Sequence, residues 1–398
     1  MQIEPDFNPF ASLASLDSTI ENGAGARLRD VEVTPIGERL VFHNRNTGTI
    51  LLSNSLGGQI LNGIKDGGDI GTISHRLARN FDDVGVAELF IRDTVQSWSQ
   101  AGLFRAPREG PIINLGPTTS ATHEACFSVG SRQFRFISES EEVFGDVATL
   151  MADYRTPVHI NRAVATISVL LTSGGHTVHL NDSALWRPGS ADEARFLVIQ
   201  TALSLLAGRE NVSAVFHAAA VVRNGEALLL AGPSGRGKTT LALLLAENGW
   251  QFAGDDLIAL DRDGRRIISL PLAAHFKGNN LAEAGDKNAR FAFHVDRSGG
   301  YTWPPEPAPE GDLFRVLAMV FPSYKAEGKF CETEVAPEAA LQYLLTTGTE
   351  IVPSDGSIEP LAGLLNSIPC YNWTYGNNRD ALLAANRIFG ENRIEEKL

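Results

Sequence analysis

Two short runs of aliphatic and β-branched residues, 39–43 and 49–53, flank turn formers at 44–48, so the chain is predicted to form a β-hairpin near its start. Three helical periods follow. Leu56, Ile60, Leu61 and Ile64 recur at helical spacing after Asn54 and Ser55. A second helix is predicted over 72–81, opening on a capping residue and ending before Asp82 and Asp83. A third places Ala87, Ile91, Val95 and Trp98 on one face and stops at Gly102. The hairpin and its three helices predict a small α+β domain over residues 31–106, behind a polar, Gly-rich leader of residues 1–30 to which no function is assigned.

Residues 107–125 contain Pro107, Gly110, Pro111, Gly116 and Pro117, and this density of breakers predicts a linker. Beyond it, 126–138 and 159–179 carry alternating or β-branched runs, and 191–207 reads as a strong helix with Phe196, Leu197, Ile199, Leu203, Leu205 and Leu206. The continuous apolar run at 226–231 reads as a buried strand, 239–248 as a helix stopped by Gly249, and 257–260 as a further strand. Strands interleaved with helices predict an α/β domain over residues 126–398.

A chain of 398 residues exceeds the size at which one core keeps growing, which agrees with two domains. Its 43% hydrophobic and 20% charged content is that of an ordinary globular protein. The formal charge of -13 disfavours any broad attraction to nucleic acid or anionic membrane, and no apolar run is long enough to span a bilayer. The acidic start, Met1-Gln-Ile-Glu-Pro-Asp6, has neither the cationic residues nor the apolar stretch of a secretory signal, so a cytoplasmic location is expected. Cys126, Cys331 and Cys370 form no CxxC pair and are expected to be buried thiols, and no His or Cys cluster has zinc-ligand spacing.

The chemistry concentrates at Gly232, Pro233, Ser234, Gly235, Arg236, Gly237, Lys238 and Thr239, with Thr240 following. This is a GxxxxGK[ST] loop between a predicted strand and a predicted helix, the context in which such a loop binds nucleotide phosphate. Glycines let successive backbone N–H groups converge on phosphate oxygens with no Cβ in the way. Lys238 is expected to reach the β- and γ-phosphates of ATP or GTP, and Thr239 to ligate Mg²⁺. Downstream, Asp255 and Asp256 lie between turn residues and the next strand. Phosphoryl transfer to an alcohol needs a carboxylate for the metal and a base near the attacking hydroxyl, and adjacent aspartates supply both. His217 precedes the strand that leads to the loop.

The loop form GxSGxGKT, with His217 upstream and Gly249-Trp250 leading to Asp255-Asp256, resembles the HPr kinase/phosphorylase catalytic domain, and still more the HPr-kinase-related kinases. The likeness extends to Val320-Phe-Pro-Ser-Tyr324 and to Pro369-Cys-Tyr-Asn-Trp-Thr-Tyr-Gly376, so it covers roughly residues 126 to 395. It implies an HPr-kinase-like P-loop domain with a mixed sheet and flanking helices. It also implies Asp255 as the base, Asp256 as the metal-binding acid and His217 as the group that orients them. Thr240 stands where HPr kinases have a glutamate, and residues 270–280 replace their glycine-rich signature, which counts against phosphorylase activity and against HPr as substrate. Lys277 and the segment 301–305 are further candidates for substrate contact, each with a surface or turn role as the alternative, while His294 and Asp296 are unassigned.

Residues 31–106 resemble the PqqD family, small winged-helix-like modules that bind leader segments of peptides destined for modification. The resemblance rests on Val41-Phe42-His43 and Leu51-Leu52-Ser53, the helix with Gln59-Ile60-Leu61, and the closing Ala101-Gly102-Leu103-Phe104. Together the two resemblances imply an ATP-dependent kinase acting on a hydroxyl, with serine the expected acceptor, of a precursor peptide or small protein captured by the first domain. A small-molecule kinase and a non-catalytic nucleotide switch are the alternatives, and homo-oligomerisation is left open.

Overall fold

A computed structural model of the chain describes residues 30–104, 123–157, 165–181, 183–186, 189–277, 293–295, 299–302, 306–351 and 356–390. They fall into two compact units, residues up to 109 joined by 354–362, and the rest. The expected leader lies outside the described residues apart from Asp30.

The first unit opens on an antiparallel meander of β1 (Val31–Ile36), β2 (Arg39–Asn44) and β3 (Thr49–Ser53), with Val33 opposite Phe42 and Val41 opposite Leu52. The predicted hairpin is β2 and β3. β1 is an addition, and it sits at the sheet edge, the place in a sheet where a proline such as Pro35 is tolerated. Three helices follow, α1 (Ser55–Lys65), α2 (Ile70–Leu77) and α3 (Val84–Gln100). Each begins where a short side chain, Asn54, Asp69 or Asp83, accepts a first-turn N–H, an arrangement that contributes about 1 kcal/mol per helix. Phe42, Ile60, Ile73, Ile91 and Trp98 close one core, Phe42 meeting the Trp98 ring edge-on at 5.2 Å. On α3, Val86, Leu89 and Phe90 remain exposed, Leu89 to 70%.

Residues from far along the chain complete this unit. The Glu32 carboxylate accepts hydrogen bonds from the Ser357 hydroxyl and, at 3.1 Å, from the Ile358 N–H, just ahead of the helix that starts at Glu359. Burial opposes ionisation of Glu32, but the bonds from Ser357, Ile358 and Arg45 outweigh it and hold the carboxyl below its ordinary value.

The second unit begins with a six-stranded mixed sheet, whose strands are β4 (His123–Val129), β5 (Arg132–Ser138), β6 (Arg155–Thr156), β7 (Ala165–Thr172), β8 (Gly175–Leu180) and β9 (Ser183–Trp186). β4 starts inside the segment expected to be linker, because its polar first residues, His123 and Glu124, sit on an exposed strand end and carry no apolar signal. α4 (Glu141–Leu150) and α5 (Ala191–Ala207) share a core with this sheet, in which Phe127, Phe134 and Phe136 meet Val147, Val198 and Leu206. Ser190 and Glu193 form a capping box that fixes where α5 starts.

The large sheet comprises β10 (Val212–Phe216), β11 (Ala218–Arg223), β12 (Glu226–Ala231), β13 (Gln251–Gly254), β14 (Ile258–Asp261) and β15 (Arg266–Ile268). A separate three-stranded sheet contains β16 (Ala274–Lys277), β17 (Phe293–Val295) and β18 (Gly299–Thr302). The large sheet then gains β19 (Leu313–Tyr324), β20 (Cys331–Glu334), β21 (Glu350–Ile351) and β22 (Cys370–Tyr375). The helices of this unit are α6 (Lys238–Glu247), α7 (Pro337–Thr346) and α9 (Asn378–Ile388), while α8 (Glu359–Ser367) begins in the first unit and ends in the second.

The directions of five strands position the site. β12 runs parallel to β19, β19 runs parallel to β22, and β11 lies antiparallel to both β12 and β13. The C-terminal ends of β13, β12, β19 and β22 and the start of β11 therefore share one edge of the sheet. β11 and β12 are apolar on both faces and almost wholly buried, as central strands must be. α6 buries Leu241, Ala242, Leu245 and Ala246 against the same core as Leu228, Leu230, Val320 and Trp373.

Two expectations are corrected here. Cys331 is exposed, because it lies on β20, all four of whose residues face solvent, whereas Cys126 and Cys370 are buried as expected. Tyr301 and Thr302 belong to strand β18 and not to a turn, and Lys277 ends strand β16, with Tyr301 opposite His275 and Lys277 opposite Gly299. Residues 303–305 and Asp296 lie outside the described residues. Among the described residues no helix is long and apolar enough to cross a membrane.

Candidate active site

The loop that follows β12 is built on three glycines at positive φ, Gly232 at 122°, Gly235 at 79° and Gly237 at 93°. A side chain at any of them would strain the turn that carries the chain from β12 into α6. Pro233, Ser234, Gly235 and Arg236 are exposed at its crest, and Thr240 is exposed on the first turn of α6. No side chain caps α6, so its N-terminal amides and its dipole are presented to the loop, the arrangement that suits a phosphate group.

Lys238 is 5% exposed and its ammonium crosses the loop, donating to the Gly232 carbonyl at 2.8 Å and the Pro233 carbonyl at 3.2 Å. Those bonds hold the charge at the loop while it is desolvated. Thr239, one residue on, points to the end of β13. Its hydroxyl lies 2.9 Å from Asp255 Oδ2 and 3.1 Å from Oδ1, and donates to that carboxylate.

Asp256 adopts φ 65°, a conformation that short polar residues tolerate best. This turn sends consecutive carboxylates to different partners. Asp255 points inward to Thr239, while Asp256 Oδ1 lies 3.2 Å from His217 Nε2. His217 occupies the bend between β10 and β11, with the Phe196 ring centred 6.2 Å from its own. The His217 and Asp256 side chains keep 12% and 20% of their exposure.

Asp255 is almost fully buried, at 2% exposure. Burial, and secondly the charge of Asp256, raise its pKa to about 7, against the opposing pull of the Thr239 hydroxyl and Lys238. A carboxylate this poorly solvated gains greatly from a cation placed beside it. Among the described residues no group of three or more His, Cys, Asp or Glu side chains is arranged to hold a metal ion. The Thr239 hydroxyl and the Asp255 carboxylate are oxygen donors of the kind that suit Mg²⁺, which is held by one or two protein oxygens together with the phosphates of a nucleotide.

The structure thus brings together His217, Lys238, Thr239, Asp255 and Asp256, all singled out in the sequence, at one edge of one sheet. Thr239 meets Asp255, whereas the resemblance implies Asp256 as the metal-binding acid. Two residues that the motif does not contain also border the loop. A Cβ placed at Gly237 would lie 3.6 Å from Tyr375 Oη and 3.7 Å from Tyr324 Cβ. Both lie in the segments 320–324 and 369–376 that carry the family resemblance, at the ends of strands β19 and β22.

No family model matches the chain, and no curated protein matches it. Among solved structures, the HPr(Ser) kinase/phosphatase from Coxiella burnetii is similar at 14% identity, over 44% of this chain and 88% of that chain, with a TM-score of 0.24.

Proposed function

We propose that this protein is a nucleotide-dependent phosphotransferase that moves the γ-phosphoryl group of ATP, or of GTP, to an alcohol. The observation that carries this reading is the meeting of Thr239 with Asp255 at 2.9 Å and of Asp256 with His217 at 3.2 Å, beside the loop that buries Lys238. One carboxylate adjoins the loop hydroxyl, and its neighbour, turned away by the backbone at Asp256, adjoins an imidazole. A phosphate-binding switch has no need of the second pair.

In this mechanism the uncapped start of α6 and the loop amides bind the phosphate chain, and the Lys238 ammonium turns from the Gly232 and Pro233 carbonyls to the phosphate oxygens. The Thr239 hydroxyl and the Asp255 carboxylate would hold Mg²⁺, which when bound offsets charge on the phosphates and on the leaving oxygen. Asp256 faces the acceptor. As the acceptor oxygen attacks phosphorus, its proton passes to the Asp256 carboxylate, and the β–γ bridging oxygen leaves with the bonding electron pair on the nucleoside diphosphate. His217 fixes the orientation of Asp256 and shares the proton it gains. This assignment exchanges the roles that the family resemblance implies for the two aspartates, because the geometry couples the metal-side hydroxyl to the first of them.

The acceptor we propose is a serine hydroxyl of a precursor peptide or small protein, bound by the first unit. The exposed apolar residues Val86, Leu89 and Phe90 on α3 support a peptide-binding role for that unit. The strand β3, which pairs with β2 alone among the described residues, supports addition of an extended peptide. Capture there would raise the local concentration of the acceptor. Mass spectrometry of candidate peptides incubated with the protein, ATP and Mg²⁺ tests the reading. A gain of one phosphoryl group on serine, lost in Lys238→Ala, is expected. Phosphorylation of a small metabolite in place of any peptide would refute the acceptor class, and nucleotide binding without transfer would refute catalysis.

A further inference from the structure

The five strand ends at the catalytic edge follow a fixed lateral order, β13, β11, β12, β19, β22. With strands about 4.8 Å apart, this order lays out the site as a line. Asp255 and Asp256 follow β13, His217 precedes β11, the phosphate loop follows β12, Tyr324 ends β19 and Tyr375 ends β22. The reacting end of a bound nucleoside triphosphate belongs beside the aspartates. The phosphate chain crosses the loop, so its nucleoside end is directed to the opposite side, over β19 and β22.

What stands there is an aromatic pair with one wet face. Tyr324 is 54% exposed although it adjoins buried residues. Its ring meets that of Tyr375 nearly edge-on, centroids 5.6 Å apart at 71°. Tyr375 is 2% exposed, and burial with the neighbouring Tyr324 pushes its phenol up to about 12, so it stays neutral. The buried ring fixes the exposed one, and a T-shaped contact lets Tyr375 cover at most one face of the Tyr324 ring, leaving the other for stacking. The Lys325 N–H donates to the Tyr375 carbonyl at 2.8 Å, so the ladder between β19 and β22 continues to the very residues that carry the rings. Arg236, at the crest of the loop, leans the same way and donates to Ser323 Oγ at 3.3 Å.

We propose that Tyr324, held by Tyr375, is the platform on which the base of the nucleotide stacks, so that the ends of β19 and β22 form the nucleoside subsite. The proposal rests on the phosphotransferase reading, which supplies the phosphate site that orients the nucleotide. Stacking on a tyrosine face favours a purine over a pyrimidine by area and leaves ATP and GTP nearly equal, since the ring face reads no hydrogen-bond pattern.

Calorimetric titration of the full-length protein with ATP and with inorganic tripolyphosphate, both with Mg²⁺, tests it. The second probe carries the phosphates and no base. Tyr324→Ala is expected to weaken ATP about tenfold, equivalent to about 1.4 kcal/mol, and to leave tripolyphosphate within twofold. Tyr324→Phe, which keeps the ring, is expected to bind ATP as the unaltered protein does. Because Tyr324 is half exposed, its removal opens no cavity, and a matching melting temperature confirms the fold. Equal loss of both probes, or no loss of ATP, overturns the nucleoside subsite while the phosphotransferase reading stands. If the unaltered protein binds neither probe, the phosphate site itself fails and the subsite falls with it.

Discussion

The Thr239 hydroxyl donates to the buried carboxylate of Asp255, 2.9 Å from Oδ2, while the next carboxylate in the chain turns to His217. Adjacent residues of identical chemistry are thereby placed in different surroundings, and they should fail differently. Asp255→Asn is expected to raise the Mg²⁺ concentration needed for half-maximal rate by tenfold or more. Asp256→Asn should leave that requirement near its original value and lower kcat by roughly 10² to 10⁴, the usual worth of a positioned base. Steady-state rates across a Mg²⁺ series separate the two, and the opposite pattern would return the base role to Asp255.

Asp255 also sets a pH dependence on the nucleotide-free protein. Its pKa is raised to about 7 in the folded chain, against about 3.9 in an unfolded one. Between those values the folded state holds a proton that the unfolded state has released, so stability is greatest below about pH 4 on this account and is lost as pH rises toward 7. The loss amounts to a few kcal/mol. Urea unfolding at pH 5 and pH 8 should show it, with Asp255→Asn flattening the difference and unfolding later than the unaltered protein at pH 8.

His217 acts through Asp256, and the split between kinetic constants should report that. His217→Ala is expected to lower kcat by 10-fold or more with KM for ATP nearly unchanged, because the ring touches a carboxylate and not the phosphate loop. The pH profile of kcat should shift at the same time. A rise in KM for ATP with kcat intact would assign the ring to nucleotide binding.

The exposed face of α3 offers a separate test of peptide capture. Leu89 is 70% exposed, so Leu89→Asp should leave the melting temperature unchanged. With a peptide substrate KM should rise severalfold while kcat at saturation holds. An unaltered KM would remove this face from the substrate path.

Much of this was legible in the chain because the governing interactions are local. The glycines of the phosphate loop, the run of aliphatic residues in β12 and the helix start near Asn54 each declare themselves within a few positions. What was not legible depends on distant strands. Nothing near Asp255 states that Thr239 and not His217 will face it; the φ of 65° at Asp256 and the antiparallel pairing of β11 with β13 decide that. Tyr324 and Tyr375 acquire a role only once β19 and β22 run side by side in register, Tyr324 opposite Tyr375. β1 was hidden by Pro35, which reads as a strand breaker until the strand proves to be an edge. Cys331 was misjudged because a small thiol on a solvent-facing strand has the same one-letter signature as a buried one.

The bond from Ile358 to Glu32 has a consequence for the order of events during synthesis. Ribosomes emit about 5 to 20 residues each second, so this partner of Glu32 emerges many seconds after β1, the strand that carries the carboxylate. For that interval the carboxylate lacks two of the donors that favour its charge and keeps only Arg45, and the first-made unit waits, incomplete, on a residue made 326 positions later. A nascent chain arrested before residue 357 should therefore be cleaved by protease within residues 30–104 more readily than the released protein.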